Sequence, residues 1–120
     1  MSKTIVQNAS KAEVIEEDWG SLTWYASGKM GNSEEMTVGK AVLRVGAQNP
    51  RHVHPNCEEV LVVLQGEIAH EIEDGKEAIL REGDTITLPQ GFPHRARNIG
   101  NVEAVLHISF SSAQRQVEGE

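Results

Sequence analysis

From Val38 onward the sequence breaks into short runs of β-branched and aliphatic residues: VGKAVLRV, EVLVVLQ, EIAHEIE, EAILRE, TITLP and VEAVLHISF. Between them stand the turn-forming stretches EDGKE, REGD, PQGFP and NIGN. This spacing predicts antiparallel strands joined by tight turns, and hence an all-β sandwich or barrel. SLTWYAS reads as a further strand ahead of the loop GKMGNSEE, and SKAEVIEED is the one stretch with a helical-turn reading. No internal repeat or linker divides the chain, so the expectation is one domain over residues 1–120, long enough to bury roughly two thirds of the surface its unfolded form exposes. Residues 1–20 are expected to form an amino-terminal strand or arm. The polar ending SSAQRQVEGE, residues 111–120, is expected to fray or to lie along the surface.

Charge removes two classes of partner. Lysine and arginine number 11 against 18 aspartates and glutamates, a formal net charge of −7, and no basic stripe is present to neutralise phosphates. Nucleic acid is therefore not expected as a partner. The longest aliphatic run, Val60 to Leu64, falls far short of the ~20 residues of a membrane helix, so no membrane partner is expected. The first twenty residues lack the apolar stretch of a secretory signal and carry acidic groups that a transit peptide avoids, which predicts a cytoplasmic location. Cys57 is the only cysteine. An intrachain disulfide and a cysteine-rich zinc site are both excluded, and any metal must be held by histidine and carboxylate.

Such ligands are concentrated in PRHVHPNCEEVLVVLQG, residues 50–66. His52 and His54 are two apart, and on a strand residues i and i+2 project from one face, so two imidazoles can share an ion. The dipeptide PN interrupts that strand, and Glu59 then opens the apolar run at the rim of the core. Glu58 is the competing carboxylate. Only one of the pair can face inward, and the uninterrupted aliphatic run that follows does not say which. His94 stands beyond a proline and glycine turn in PQGFPHRARN, placed to come alongside if the two segments face each other across a barrel.

The frame around these residues is specific. Gly46, His52, His54, Glu59 and Gly66 follow one another with five, one, four and six intervening residues, and Gly83, Pro89, Gly91, His94 and Asn98 with five, one, two and three. Both patterns resemble the two motifs of the cupin superfamily without a departure at any of those positions, over a motif core of residues 46–98. The resemblance implies a double-stranded β-helix, or jelly-roll barrel, with one divalent transition metal per chain held in its lumen. By position, the ligands it implies are His52, His54, Glu59 and His94, which also selects Glu59 over Glu58. Gly66 and Gly83 fall where tight turns need positive φ, and Pro89 and Pro93 stiffen the loop that presents His94.

A set of three imidazoles and one carboxylate suits Mn, Fe, Ni, Co, Cu or Zn and does not choose among them. Cupins with these ligands include dioxygenases, isomerases, epimerases, lyases and decarboxylases as well as non-catalytic binders. The resemblance therefore implies Lewis-acid or oxygen-activating chemistry on a small oxygen-rich metabolite, sugar-derived or carboxylate-bearing, with metal-dependent binding without turnover as the alternative. No catalytic residue is assigned. His70 and His107 each share a strand face with apolar or small residues and read either as satisfied core histidines or as groups in the pocket. Cys57 reads as a small buried thiol that can approach the site. Arg44, Arg95 and Arg97 read as solvated outer-face residues, with an anion anchor as the alternative. Trp19, Trp24 and Tyr25 read as core or subunit-interface residues, with a pocket wall as the alternative. Small cupins resembling this chain commonly pair, so the resemblance also implies a homodimer, whose contacts would cover exposed strand edges.

Overall fold

Alternation of buried and half-buried side chains along three neighbouring strands sets the architecture. In the computed structural model, which describes residues 4–119, Thr37–Leu43 buries Thr37, Gly39, Ala41 and Leu43, while Ala104–Phe110 buries Ala104, Leu106, Ile108 and Phe110. Glu59–Gln65 buries Glu59, Leu61 and Val63. A period of two with one apolar face is what a strand needs to lie over a core. Leu43, Leu106 and Phe110 bury their side chains almost completely, each contributing about 1.5–3 kcal/mol of transfer free energy.

The strands are, in chain order, β1 (Glu13–Glu17), β2 (Gly20–Ala26), β3 (Thr37–Leu43), β4 (His52–Val53), β5 (Glu59–Gln65), β6 (Ile68–Glu73), β7 (Lys76–Leu80), β8 (Thr85–Leu88), β9 (Ala96–Asn98), β10 (Ala104–Phe110) and β11 (Glu118–Gly119). Six of them form one antiparallel sheet in the order β1-β2-β3-β10-β5-β8. Facing it are the sheet β7-β6-β9 and the pair β11-β4, linked by the bridges Gln48↔Arg97 and His52↔His94. Leu43, Leu61, Val63 and Leu106 from the first layer meet Ile68, Leu80 and Ala96 from the second in one core. The all-β jelly-roll expected from the sequence is the fold observed.

Two turns show why particular residues were needed. Gly66 and Gly83 adopt φ of +89° and +88°, a region open to glycine at little cost. Gly83 N–H donates to the Val63 carbonyl at 2.8 Å and Val63 N–H to the Asp84 carbonyl at 3.0 Å, so the turn is stitched to β5. Asn98, the last residue of the second motif, is buried and donates to the carbonyls of Leu43 and Val102, while accepting from Gly100 N–H.

One reading is corrected and one is narrowed. The helical reading of SKAEVIEED fails: Ala9–Lys11 forms a single 3₁₀ turn, and Glu13–Glu17 is β1. Its β-branched Val14 and Ile15 pair in register with Thr23 and Leu22 of β2, and that pairing overrides the local preference. Of the two readings of the polar tail, the structure has the second: within the described residues it lies along the surface, mostly exposed, rather than fraying. Its β11 pairs with β4, and Ala113 is buried.

Candidate metal centre

Three pieces of backbone deliver the four candidate ligands. β4 carries His52 and leads directly into His54. His52 and His94 are antiparallel partners that exchange both backbone hydrogen bonds, His52 N–H to the His94 carbonyl at 3.0 Å and His94 N–H to the His52 carbonyl at 2.8 Å. Residues directly opposite in such a pair present their side chains on the same face, which brings the two sequence motifs together. Glu59 arrives from the opposite layer, at the start of β5, where it pairs with Leu88 of β8 and Phe110 of β10. Glu59 is 5% exposed. Glu58 faces solvent, so the carboxylate ambiguity resolves in favour of Glu59.

The four side chains converge. Their candidate ligand atoms all lie within 4.8 Å of one another, and the His52 and His94 ring centroids are 4.4 Å apart. Each imidazole is fixed from behind: His52 Nδ1 lies 2.8 Å from the Pro50 carbonyl, His54 Nδ1 2.9 Å from that of Gln116, and His94 Nδ1 2.9 Å from that of Phe92. A carbonyl only accepts, so each Nδ1 carries the proton, and in the neutral ring Nε2 is left as a bare lone pair. This arrangement holds a metal-binding imidazole in the right tautomer and direction.

What those lone pairs face is decisive for the fit. Nε2 of His54 and His94 lie 3.3 and 3.2 Å from Oε1 of Glu59, yet all three atoms are buried with no hydrogen-bond partner. Burial works to raise the Glu59 carboxyl, but the imidazoles of His54 and His94 beside it hold it down to about 2. Burial, reinforced by the neighbouring His94, lowers His52 to about 4, so that ring is neutral near pH 7. An ionised carboxylate surrounded by inward-pointing lone pairs is costly unless a cation sits among them. The residues therefore fit a divalent metal, and a mixed nitrogen and oxygen set of this kind suits a transition metal.

The ligand set opens on a cavity of about 280 Å³, whose walls include Leu61, Leu106, Ile108 and Trp24. His70 also lines it. The ring is 1% exposed, stacks on His94 at 5.5 Å, and its Nδ1 lies 2.8 Å from the Glu71 carbonyl, with burial lowering its affinity for a proton. Both readings of His70 thus hold together: it is a satisfied buried histidine, and it faces the lumen.

Other sequence candidates fall elsewhere. His107 lies on the outward-facing side of β10 and does not line the cavity. Cys57 is a buried thiol whose proton affinity burial raises, and it too lies outside the cavity lining. Arg44 is exposed, Arg97 pairs with Glu77 at 2.8 Å, and Arg95 lies 3.7 Å from Glu71, so none of the three reaches the lumen as an anion anchor. Trp24 is core and cavity wall at once, Trp19 is half-buried along the same cavity, and Tyr25, 38% exposed, is not a core residue.

Two features of the site escaped the sequence reading, and both come from the tail. The Gln116 carbonyl orients His54. Arg115 lines the cavity, its guanidinium 4.4 Å from the Trp24 ring centroid and 5.2 Å from that of Phe110. A polar stretch without periodicity signals neither.

Two β layers enclosing three imidazoles and a carboxylate, with a small cavity beside them, define a jelly-roll protein built to hold a metal in its lumen. Residues 39–110 match the Cupin domain family, and the chain belongs to the cupin family. It is 37% identical over 87 residues to germin-like protein 3-5 of Oryza sativa subsp. japonica, covering 63% of this chain and 38% of that protein. Against oxalate oxidase 2 of Hordeum vulgare it is 34% identical over 87 residues, covering 63% and 39%. The chain thus spans about two fifths of the length of these relatives. Among solved structures, a recombinant oxalate oxidase in complex with glycolate superposes with a TM-score of 0.78 at 20% identity, over 99% of this chain and 62% of the other, a likeness of fold.

Proposed function

We propose that this protein holds one divalent transition metal through His52, His54, Glu59 and His94 and uses it on a small carboxylate-bearing molecule. The observation that carries the reading is the convergence of buried, unpartnered acceptor atoms on a single point. Bound there, the metal would supply Lewis acidity towards an oxygen of the ligand. The chain does the rest. Carbonyls of Pro50, Phe92 and Gln116 hold the Nδ1 protons of three imidazoles and so aim each Nε2 into the site. Leu61, Leu106 and Ile108 exclude water from the far wall, and a cavity of about 280 Å³ limits the ligand to a small molecule.

A carboxylate is supported by the relatives: one with 34% identity is an oxalate oxidase, and an oxalate oxidase of the same fold was solved with glycolate. Turnover rather than storage is favoured by His70, the one lumen imidazole outside the ligand set among the described residues. The test is elemental analysis of protein purified without chelator or metal-affinity resin, followed by Co(II) reconstitution and titration with glycolate. Close to one metal per chain and a saturable change in the visible spectrum are expected. Reconstituted protein that takes up no metal, or a spectrum indifferent to every small carboxylate tried, would sink the proposal.

A further inference from the structure

The segment that closes the lumen carries a cation with unused donors. Among the described residues Arg115 forms no ion pair and no hydrogen bond, although most other arginines of the chain engage carboxylates: Arg51, Arg81, Arg95 and Arg97 all lie within ion-pairing distance of one. Its contacts are with the rings of Trp24 and Phe110, and both residues also line the cavity. Stacking of this kind uses the faces of the guanidinium and leaves its edge, where five N–H donors lie, for another partner.

The backbone on either side is held in place. Asn56 Nδ2 donates to the Gln114 carbonyl at 2.8 Å, and Gln116 N–H donates to Asn56 Oδ1 at 2.9 Å, so one side chain straddles Arg115. Gly28 N–H donates to the Ala113 carbonyl at 2.9 Å, and β11 is zipped to β4 beyond. Much of the cost of ordering the arginine is thus met in folding, before any ligand arrives. Burial lowers its proton affinity somewhat, yet a guanidinium stays charged at any physiological pH. The local field also opposes the global one. The chain carries a net charge of −7, but a divalent ion and Arg115, set against the Glu59 and Glu17 carboxylates of the cavity lining, leave the lumen a positive balance that draws anions.

We propose that Arg115 selects the ligand of this site, pairing through its free edge with the carboxylate of a small organic acid and so favouring it over neutral molecules of the same shape. The inference rests on the metal reading of the four ligand residues and deepens it. Arg115 lies beyond residues 39–110, the stretch matched to the family.

The experiment uses full-length protein loaded with Co(II), titrated calorimetrically with glycolate and with its neutral analogue glycolamide, for the wild type, R115K and R115Q. Tryptophan fluorescence reports whether the tail stays packed on Trp24. Metal affinity is expected to be the same in all three. Glycolate should bind R115Q roughly 10- to 100-fold more weakly, the range for losing hydrogen bonds to a charged group. R115K should fall between, because lysine keeps the charge and the packing but not the fork. Glycolamide should not distinguish the three proteins. Unchanged glycolate affinity in R115Q would overturn the inference while leaving the metal reading intact, and so would equal losses for glycolate and glycolamide, which would make Arg115 a packing residue. A metal-loaded wild type that binds no glycolate overturns it too. A wild type that takes up no metal overturns both proposals.

Discussion

The strands between Gly39 and Phe110 and the segment from Ser111 to Gly119 border the same lumen, but they are held there by different means. His52 and His94 are set twice over, by their antiparallel pair and by a carbonyl at Nδ1, and Glu59 is set by its register with Leu88, while His54 takes its carbonyl from the tail. The tail has one two-residue strand, the Asn56 clamp and the bond to Gly28. In the proposed reading, holding the ion falls mainly to the rigid region and choosing what meets it to the lightly tethered one. Such a division lets side chains of the tail such as Arg115 change with little effect on the metal site, because a shift of one residue in a strand would turn the ligands to the wrong face, whereas the tail touches the ligand set through one backbone carbonyl, that of Gln116 on His54.

The sharpest way to break this comparison is to damage the rigid side. His54→Ala removes a ligand from a barrel whose core is built by Leu43, Leu106, Phe110 and their neighbours. Metal affinity should fall well beyond the 10–100-fold that losing an outer partner of a ligand costs, with the β circular dichroism spectrum unchanged. Full metal occupancy in that variant would show that the strand region is not what holds the ion.

Cutting the tail should produce a smaller and qualitatively different loss. Deleting residues 114–120 removes β11, Arg115 and the carbonyl that orients His54. Metal affinity is expected to drop by about 10–100-fold, the size of an outer-partner effect, while the preference for glycolate over glycolamide disappears altogether. Competition with a metal-indicator dye measures the first and calorimetry the second. Should metal affinity survive untouched, the Gln116 carbonyl would have no part in aiming His54, and the two regions would be independent rather than merely unequal.

The same division explains what could be read without coordinates. Fold class followed from strand-length apolar runs, and the ligand set from motif spacing, because both are local consequences of a period of two and of turns with a fixed residue demand, such as Gly66 and Gly83 at positive φ. Glu59 could not be separated from Glu58 by the run EVLVVLQ itself. Its central strand is covered on both faces, with Val60 and Val62 half-buried, so the usual alternation is missing. Arg115 was invisible for another reason. Its place depends on Asn56, nearly sixty residues away, and on rings brought together from β2 and β10. No local pattern encodes such a contact. The arginines that strand alternation did single out, Arg44, Arg95 and Arg97, lie outside the lumen lining.

The finest test separates the regions without removing either. Asn56→Ala leaves every ligand and Arg115 in the chain but releases the Gln114 carbonyl and the Gln116 N–H from their shared partner. Both bonds are solvent-accessible, so water replaces them and the stability cost should stay near ~1 kcal/mol. Loosening, not breakage, is the expected result. Because Arg115 sits between the two released bonds, its ordering would have to be met when the ligand binds, and glycolate affinity should fall by about 3–10-fold, the worth of roughly one immobilised side chain. Metal affinity should fall less, since His54 keeps its hydrogen bond to the Gln116 carbonyl whenever the tail is docked through β11. Amide hydrogen exchange at Gln116 should rise in parallel with the loss in glycolate affinity. If exchange rises while glycolate affinity holds, the tail's order is not what positions Arg115. If metal and glycolate affinities fall together by the same factor, the clamp acts on His54 first, and the boundary between the two regions has to be redrawn to include Asn56 with the metal site.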